Sequence, residues 1–373
     1  MFLALREMRR AKVRFGLLIT AIALLVFLIF IQVTLQNGLL DSFVGAIKAQ
    51  SAPVLVYNVD GRRNLQGSVI TPQLERQIEA ADGVGQAGRI GQGTFTVTAG
   101  GTQADAAIIG YEDAALGAPT DLTAGSLPDG PDQAVAGGAE AGTGFDVGDT
   151  VVVEPGGLEI EVVGTAEGAS LQATTTLFTT YGTWEEAVAA ANPDAGTPLP
   201  NVIALIPADG VTADQLVQSV ADAAADADPL TRQDAADNTP GVAQVRQSFQ
   251  VIFLLYGLVV PLVCGLFFLI VTLQKSRSLI LLRAVGAPSA RLVSSLLLQV
   301  AVVMAAGIAL GTLLYAPLSV QRLGSIQLSF QTGAVLVWSV GLFALGLLSA
   351  LVAARRVLRI DPVAATSNAG VGM

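Results

Sequence analysis

The chain has 373 residues, 52% hydrophobic and only 13% charged, with 30 acidic residues against 20 Lys and Arg and a mean hydropathy of +0.61. That apolar excess lies outside the range of an ordinary soluble domain, and it is gathered into four blocks. There is no His, so the commonest general base and transition-metal ligand is missing, and the single cysteine, Cys264, excludes an intrachain disulfide.

In chain order, a basic stretch at 6–14 leads into a first apolar span at 15–35, and three further spans follow at 249–273, 292–318 and 333–354. Each exceeds the roughly 18 apolar residues that mark a transmembrane candidate. A basic start before an apolar run also describes a signal peptide, but 15–35 carries 21 uncharged residues, longer than an h-region of about 7–15. Twelve of the 20 Lys and Arg fall at 6–14, 275–291 and 355–359, each beside a span. Lys and Arg collect on the cytoplasmic side, so both termini are expected inside and residues 36–248 outside. The short loop 319–332 is expected outside as well, and 355–373 forms a cytoplasmic tail. The outer side then holds 28 of the 30 acids and a net charge near −20. Such acidity favours solubility and disfavours nucleic acid or anionic headgroups as partners.

The outer segment reads as α+β. Residues 54–59, 94–98, 106–110, 150–154, 159–163 and 201–206 cluster or alternate β-branched residues between Gly-rich turns, and Pro155-Gly156-Gly157 reads as a hairpin loop. Helices are expected at 71–81, where Thr71 and Pro72 form a cap and first turn, and at 184–191 and 214–227. Residues 116–144 read as loop-heavy, and 115–200 as an inserted subdomain. Gly88-Arg89-Ile90-Gly91-Gln92-Gly93 has the wrong glycine order for a nucleotide loop and reads as a flexible turn. No Walker A pattern occurs anywhere, so the chain is not by itself a P-loop ATPase. Glu159 and Glu161 are expected on one solvated strand face rather than paired for acid–base work.

Between the second and third spans, residues 274–291 can form a short amphipathic helix with Leu279, Leu282 and Val285 on one side. Gly286 stands where a helix C-terminal glycine would, with Pro288 just beyond. A short rigid element between two spans can transmit force; a basic loop anchored to anionic lipid is the other reading. Along the second span, Gly257, Pro261 and Gly265 recur at four-residue spacing and form a candidate hinge. Gln32, Gln36 and Gln250 stand near the outer ends of the first two spans. Uncharged polar groups there line a cavity, bond another helix or sit at the interface. Gly307-x-x-x-Gly311 in the third span offers close helix packing.

Leu282-Arg283-Ala284-Val285-Gly286-Ala287, leading into Leu296-Leu297-Leu298-Gln299, resembles the cytoplasmic signature of MacB/FtsX-type ABC-transporter permeases. The tail 354–365, with Arg355, Arg356, Arg359 and Asp361-Pro362, resembles that family's ending, and 3–12 is similar to its amphipathic N-terminal helix. Gln274-Lys275-Ser276 and the turn 145–151 are similar to its DevC and HrtB-like branch, which includes haem exporters.

The resemblance implies an α-helical membrane protein with four transmembrane helices and a large extracytoplasmic α+β domain inserted between helices 1 and 2, in a bacterial inner membrane. It implies a permease homodimer working with a separate pair of ABC ATPase subunits, which carry the ATP and Mg; no cofactor is expected in this chain. Lys275, Ser276, Arg277, Leu282, Arg283, Ala284, Val285, Gly286 and Ala287 would form the ATPase-coupling element. Substrate entry near the first two spans would make Gln32, Gln36, Gln250 and Tyr256 candidate substrate residues. Tyr256 and Cys264 are haem-iron ligands by type, although Cys264 also suits an apolar core and Tyr256 an interfacial anchor. Two functions stay open: ATP-driven expulsion of haem, a lipid or a drug-like molecule, or transmission of motion to an outer partner such as a cell-wall hydrolase.

Overall fold

The computed structural model describes residues 12–274, 289–318, 322–323, 326–327 and 330–358. The first half of the chain gives α1 (Lys12–Ala49), β1 (Val54–Asn58), α2 (Pro72–Glu79), β2 (Val84–Ala99), β3 (Thr102–Tyr111), α3 (Ala114–Gly117), β4 (Leu122–Gly125), β5 (Gln133–Gly137), β6 (Thr150–Val153), β7 (Leu158–Ala166) and β8 (Thr175–Thr180). The second half gives α4 (Tyr181–Ala191), β9 (Val202–Pro207), α5 (Ala213–Ala223), β10 (Ala227–Thr231), α6 (Arg232–Asp237), α7 (Val242–Gln274), α8 (Ser289–Tyr315), β11 (Arg322–Leu323), β12 (Ile326–Gln327) and α9 (Thr332–Leu358). These elements fall into two compact units. One comprises Met1–Leu35, Gln247–Gln321 and Leu328–Met373, the other Gln36–Arg246 and Arg322–Gln327.

In the helical unit, stretches of α1, α7, α8 and α9 are long and apolar enough to cross a membrane. Ile22, Val26, Ile29 and Phe30 of α1 bury against Val300, Val303 and Met304 of α8. Gly307 and Gly311 set the distance: a Cβ there would lie 2.5 Å from Ile22 Cγ2 and 2.7 Å from the Ala23 carbonyl oxygen. Small residues let two helix backbones approach in this way. Leu254, Leu258 and Leu262 of α7 and Leu336, Val337 and Val340 of α9 stay exposed. So much uncovered apolar side chain suits hydrocarbon rather than water.

The other unit is largely β. β2, β3, β8, β5, β7 and β6 pair in that order, and β6 returns to β2, so six strands form a closed hydrogen-bonded ring. The pairs β3–β8 and β5–β7 are parallel and the rest antiparallel. Alternation along each strand turns Val97, Ile108, Ala134, Val151, Ile160 and Leu177 into one core. The residues expected as an insert at 115–200 supply four of the six ring strands.

The first half of β2 leaves the ring to pair with β9, which pairs with β1, and β1 with β10. One face of this extension packs Val54, Val56, Ile203 and Leu205 against α2 and α5. The other face places Leu55, Tyr57, Val202 and Ala204 in a core with Leu40, Val44 and Ile47 of α1. That i, i+4, i+7 stripe explains why α1 does not stop at Leu35, the expected end of the first span, but continues to Ala49.

Thr71 caps α2 as the sequence indicates, its Oγ1 accepting the Leu74 N–H with proline in the first turn. Two expectations fail. The helix expected through 227 ends at Ala223, because Ala227 to Thr231 is drawn into pairing with β1. The expected turn at 88–93 is the middle of β2. Its glycines make space: a Cβ on Gly91 would lie 2.3 Å from the Trp184 ring and one on Gly110 2.4 Å from Trp184 Cβ. Trp184, 3% exposed, thereby lies flat on the β2–β3 pair as α4 closes one end of the ring. The Asp132 N–H bonds Thr183 Oγ1 at the same end.

Gly91→Val forces this ring off the sheet and is expected to destabilise the unit by about 1–3 kcal/mol. Thermal unfolding followed by tryptophan fluorescence tests this; an unchanged midpoint would contradict the packing role.

Candidate functional site

The expected coupling element, Lys275, Ser276, Arg277, Leu282, Arg283, Ala284, Val285, Gly286 and Ala287, lies outside the described residues, as does the side chain of Cys264. Gln32, Gln36 and Tyr256 are half-buried and Gln250 is exposed; among the described residues no hydrogen bond joins any two of these four. Tyr256 packs on the helical core. Of the hinge candidates, Gly257 faces open space, whereas Pro261 and Gly265 meet Ser349 of α9. The Ser349 hydroxyl donates to the Pro261 carbonyl at 2.6 Å, and a Cβ on Gly265 would come within 2.7 Å of that hydroxyl oxygen. α7 runs helically through Pro261. A second polar contact in this unit joins Thr34 Oγ1 and the Tyr315 hydroxyl at 2.5 Å, both buried, with the rings of Phe30 and Phe330 tilted against Tyr315.

A closely packed arrangement holds the outer part of α1 in the sheet unit. The β7–β8 loop crosses it, and three backbone hydrogen bonds join them: Ala46 N–H to Ser170 O at 2.8 Å, Gln172 N–H to Phe43 O at 3.0 Å and Ala173 N–H to Ser42 O at 2.7 Å. Such contact requires a missing side chain. A Cβ on Gly45 would sit 1.8 Å from the Gly168 carbonyl oxygen, far inside any tolerable distance. The helix end is held again where Thr120 N–H reaches Ala49 O and Ser51 N–H reaches Ala118 O. Arg232 closes the junction, its guanidinium donating to Gln50 O and its backbone N–H to Pro53 O.

Charges tie α1 and the start of α7 to the same place. Lys48 pairs with Asp41 about two turns back at 2.9 Å, and Arg246 of α7 pairs with Asp237 of α6 at 2.7 Å. Burial alone would raise the Asp237 carboxyl, but hydrogen bonds from Arg246 and Gln233 and the charges of Arg246 and Lys48 outweigh it and hold the carboxyl below its usual range. Arg89 of β2 grips Glu75 of α2 in a fork, Nε to Oε1 at 2.5 Å and Nη2 to Oε2 at 3.2 Å. Glu159 and Glu161 lie exposed on one face of β7, as their spacing indicates.

Sequence reasoning missed the clasp on α1. Its one local signal was Gly45 inside an amphipathic helical stretch, where glycine is unfavourable unless a backbone approaches closely. The partner loop, more than 120 residues away, gave none.

No protein-family model matches the sequence. No curated protein matches it either. Among solved structures, the periplasmic region of MacB from Actinobacillus actinomycetemcomitans aligns at 14% identity and TM-score 0.36, covering 50% of this chain and 92% of that one. The extracellular domain of the noncanonic ABC-type transporter YknZ from Gram-positive bacteria aligns at 12% identity and TM-score 0.34, covering 48% of this chain and 99% of that one. Likeness at these scores does not assign the chain to a family.

Gly45→Val is expected to cost about 1–3 kcal/mol and to release the clasp, read as faster amide exchange at Ala46, Gln172 and Ala173. Unchanged protection there would mean the loop does not hold the helix. The Asp237–Arg246 link has its own pH signature. A carboxyl held low in the folded state contributes stability at neutral pH that fades as pH falls through its lowered folded value. Asp237→Asn should therefore lower the unfolding midpoint slightly at pH 7, by no more than about 1 kcal/mol, with the difference vanishing in acid. A difference that grew on acidification would refute this.

Proposed function

We propose that the chain is the permease subunit of an ATP-driven ABC exporter of the MacB/FtsX-like type, set in a bacterial inner membrane with both termini in the cytoplasm. It works as a homodimer with two separate ATPase subunits and expels an amphiphilic or apolar molecule such as haem, a lipid or a drug. The observation that carries this reading is α1. One unbroken helix contains a membrane-length apolar stretch at one end and, at the other, a segment clasped by backbone hydrogen bonds into a large β unit. Such a helix moves that unit as a lever moves its load. The sequence between the second and third apolar blocks supplies the point where force would enter, since Leu282 to Ala287 resembles a cytoplasmic coupling helix. The permease moves between two global states and performs no chemistry of its own.

Reconstituting the chain in lipid discs with its ATPase pair tests the reading. Haem, lipids and drug-like amphiphiles, added singly, should include one that stimulates ATP hydrolysis. Stimulation by a cell-wall hydrolase and by none of these would instead make the chain a transmitter of motion that transports nothing. Gly286→Val should leave membrane insertion and basal hydrolysis intact but abolish stimulation. A fully stimulated variant would count against a coupling role for residues 275–287.

A further inference from the structure

The ring of six strands has unlike ends. α4 closes one, with Trp184 on Gly91 and Gly110. The other, where β2 and β5 finish and β3 and β8 begin, holds a cavity of about 520 Å³. That volume is in the range of small-molecule sites, and the mouth of a barrel is a common place for one.

Its walls are preformed. Gly144 packs on the backbone of Gly100, where a Cβ would lie 2.1 Å from the Gly100 nitrogen, and Gly138 packs on Ser170, where a Cβ would lie 1.7 Å from Oγ. The β2–β3 turn, the 138–145 loop and the 170–175 loop are thus pinned to one another around the opening. Phe145, Ala99 and Ala104 give the lining an apolar part, Ser170 and four threonines give it hydroxyls, and Glu140 gives it the one charged side chain.

Acids dominate the charge of the ring's own strands and loops. From Ile90 to Thr231 the sequence contains 21 Asp and Glu and no Lys, Arg or His. All of the ring except the start of β2 lies within that segment. A cleft in such a field concentrates cations and repels anions. Among the described residues no three His, Cys, Asp or Glu come together as a metal site, and the lining is part carbon and part hydroxyl. The suitable occupant is an organic molecule.

We infer that the open end of the ring is a binding site for an organic cation with an apolar body, its charge facing Glu140. One wall of that site, residues 170–175, is also the loop whose backbone clasps Ser42, Phe43 and Ala46 of α1. An occupant therefore touches the segment that fixes the helix to the sheet unit. The binding site stands on the geometry and charge of this unit and holds whether or not the chain is a permease.

The test uses the full chain in phosphatidylcholine discs without any ATPase, empty discs serving as background, so that its failure is separate from failure of the permease reading. Ethidium, a fluorescent organic cation, should bind saturably and about tenfold or more tighter than fluorescein, an anion of similar ring size. Glu140→Gln should weaken ethidium about five- to tenfold. Ala104→Trp, at an exposed strand position that lines the cavity, should abolish saturable binding while leaving the thermal midpoint unchanged. Bound ethidium should slow amide exchange at Gln172 and Ala173. Equal affinity for the two dyes, indifference to both substitutions, or protection that appears elsewhere in the chain would each overturn the inference.

Discussion

The carbonyl of Gly168 occupies the space where any other residue at position 45 would carry its β-carbon. Because of that vacancy the β7–β8 loop can lie on α1 and bond to it through main-chain groups alone. Main-chain bonds to a helix interior leave little freedom of register or rotation, since each donor and acceptor is fixed by the helix itself. The apolar stripe of Leu40, Val44 and Ile47 then meets the sheet at one orientation, and the core that includes Tyr57 and Tyr111 closes over it. Burial raises both phenols, that of Tyr111 to about 12, so this core stays uncharged over the whole physiological range.

The helices and the sheet solve the problem of backbone polarity differently. A helix satisfies its polar main-chain groups internally, which lets Leu and Val remain outward on α7 and α9. The few polar side chains inside find one another, as Thr34 finds Tyr315, or reach a carbonyl, as Ser349 reaches that of Pro261. In the sheet unit the ring removes free strand edges from six of the ten strands of the main sheet, and side-chain alternation separates its interior from the face turned to α1.

The extent to which this was legible in the sequence follows the range of the interactions. Thr71-Pro72 announces α2 because a cap is made by residues three apart, and the six runs of β-branched residues each fall within or largely on a strand. The stretch 116–144 hid β4 and β5, whose Gln133 to Gly137 and Leu122 to Gly125 carry little β-branched character and depend on β7 for partners. The glycines at 88–93 signalled a turn because glycine usually does. Here their cause was an indole 93 residues beyond Gly91, invisible to any local window. The four glutamine and tyrosine candidates stand out by polarity within apolar blocks, a pattern that marks a position but not a neighbour. The coupling signature was the clearest motif in the sequence, and it lies outside the described residues.

The open branch of the sheet ends in β10, and that strand carries Pro229 between Asp228 and Leu230. Proline offers no main-chain donor, so the edge of this strand cannot complete a ladder. At the opposite end β4 is only four residues long. Neither end is a good template for a further strand, so sheet growth from one molecule to the next is disfavoured. Any contact this unit makes with another chain then rests on side chains, and such a contact can part and re-form without breaking a β-ladder.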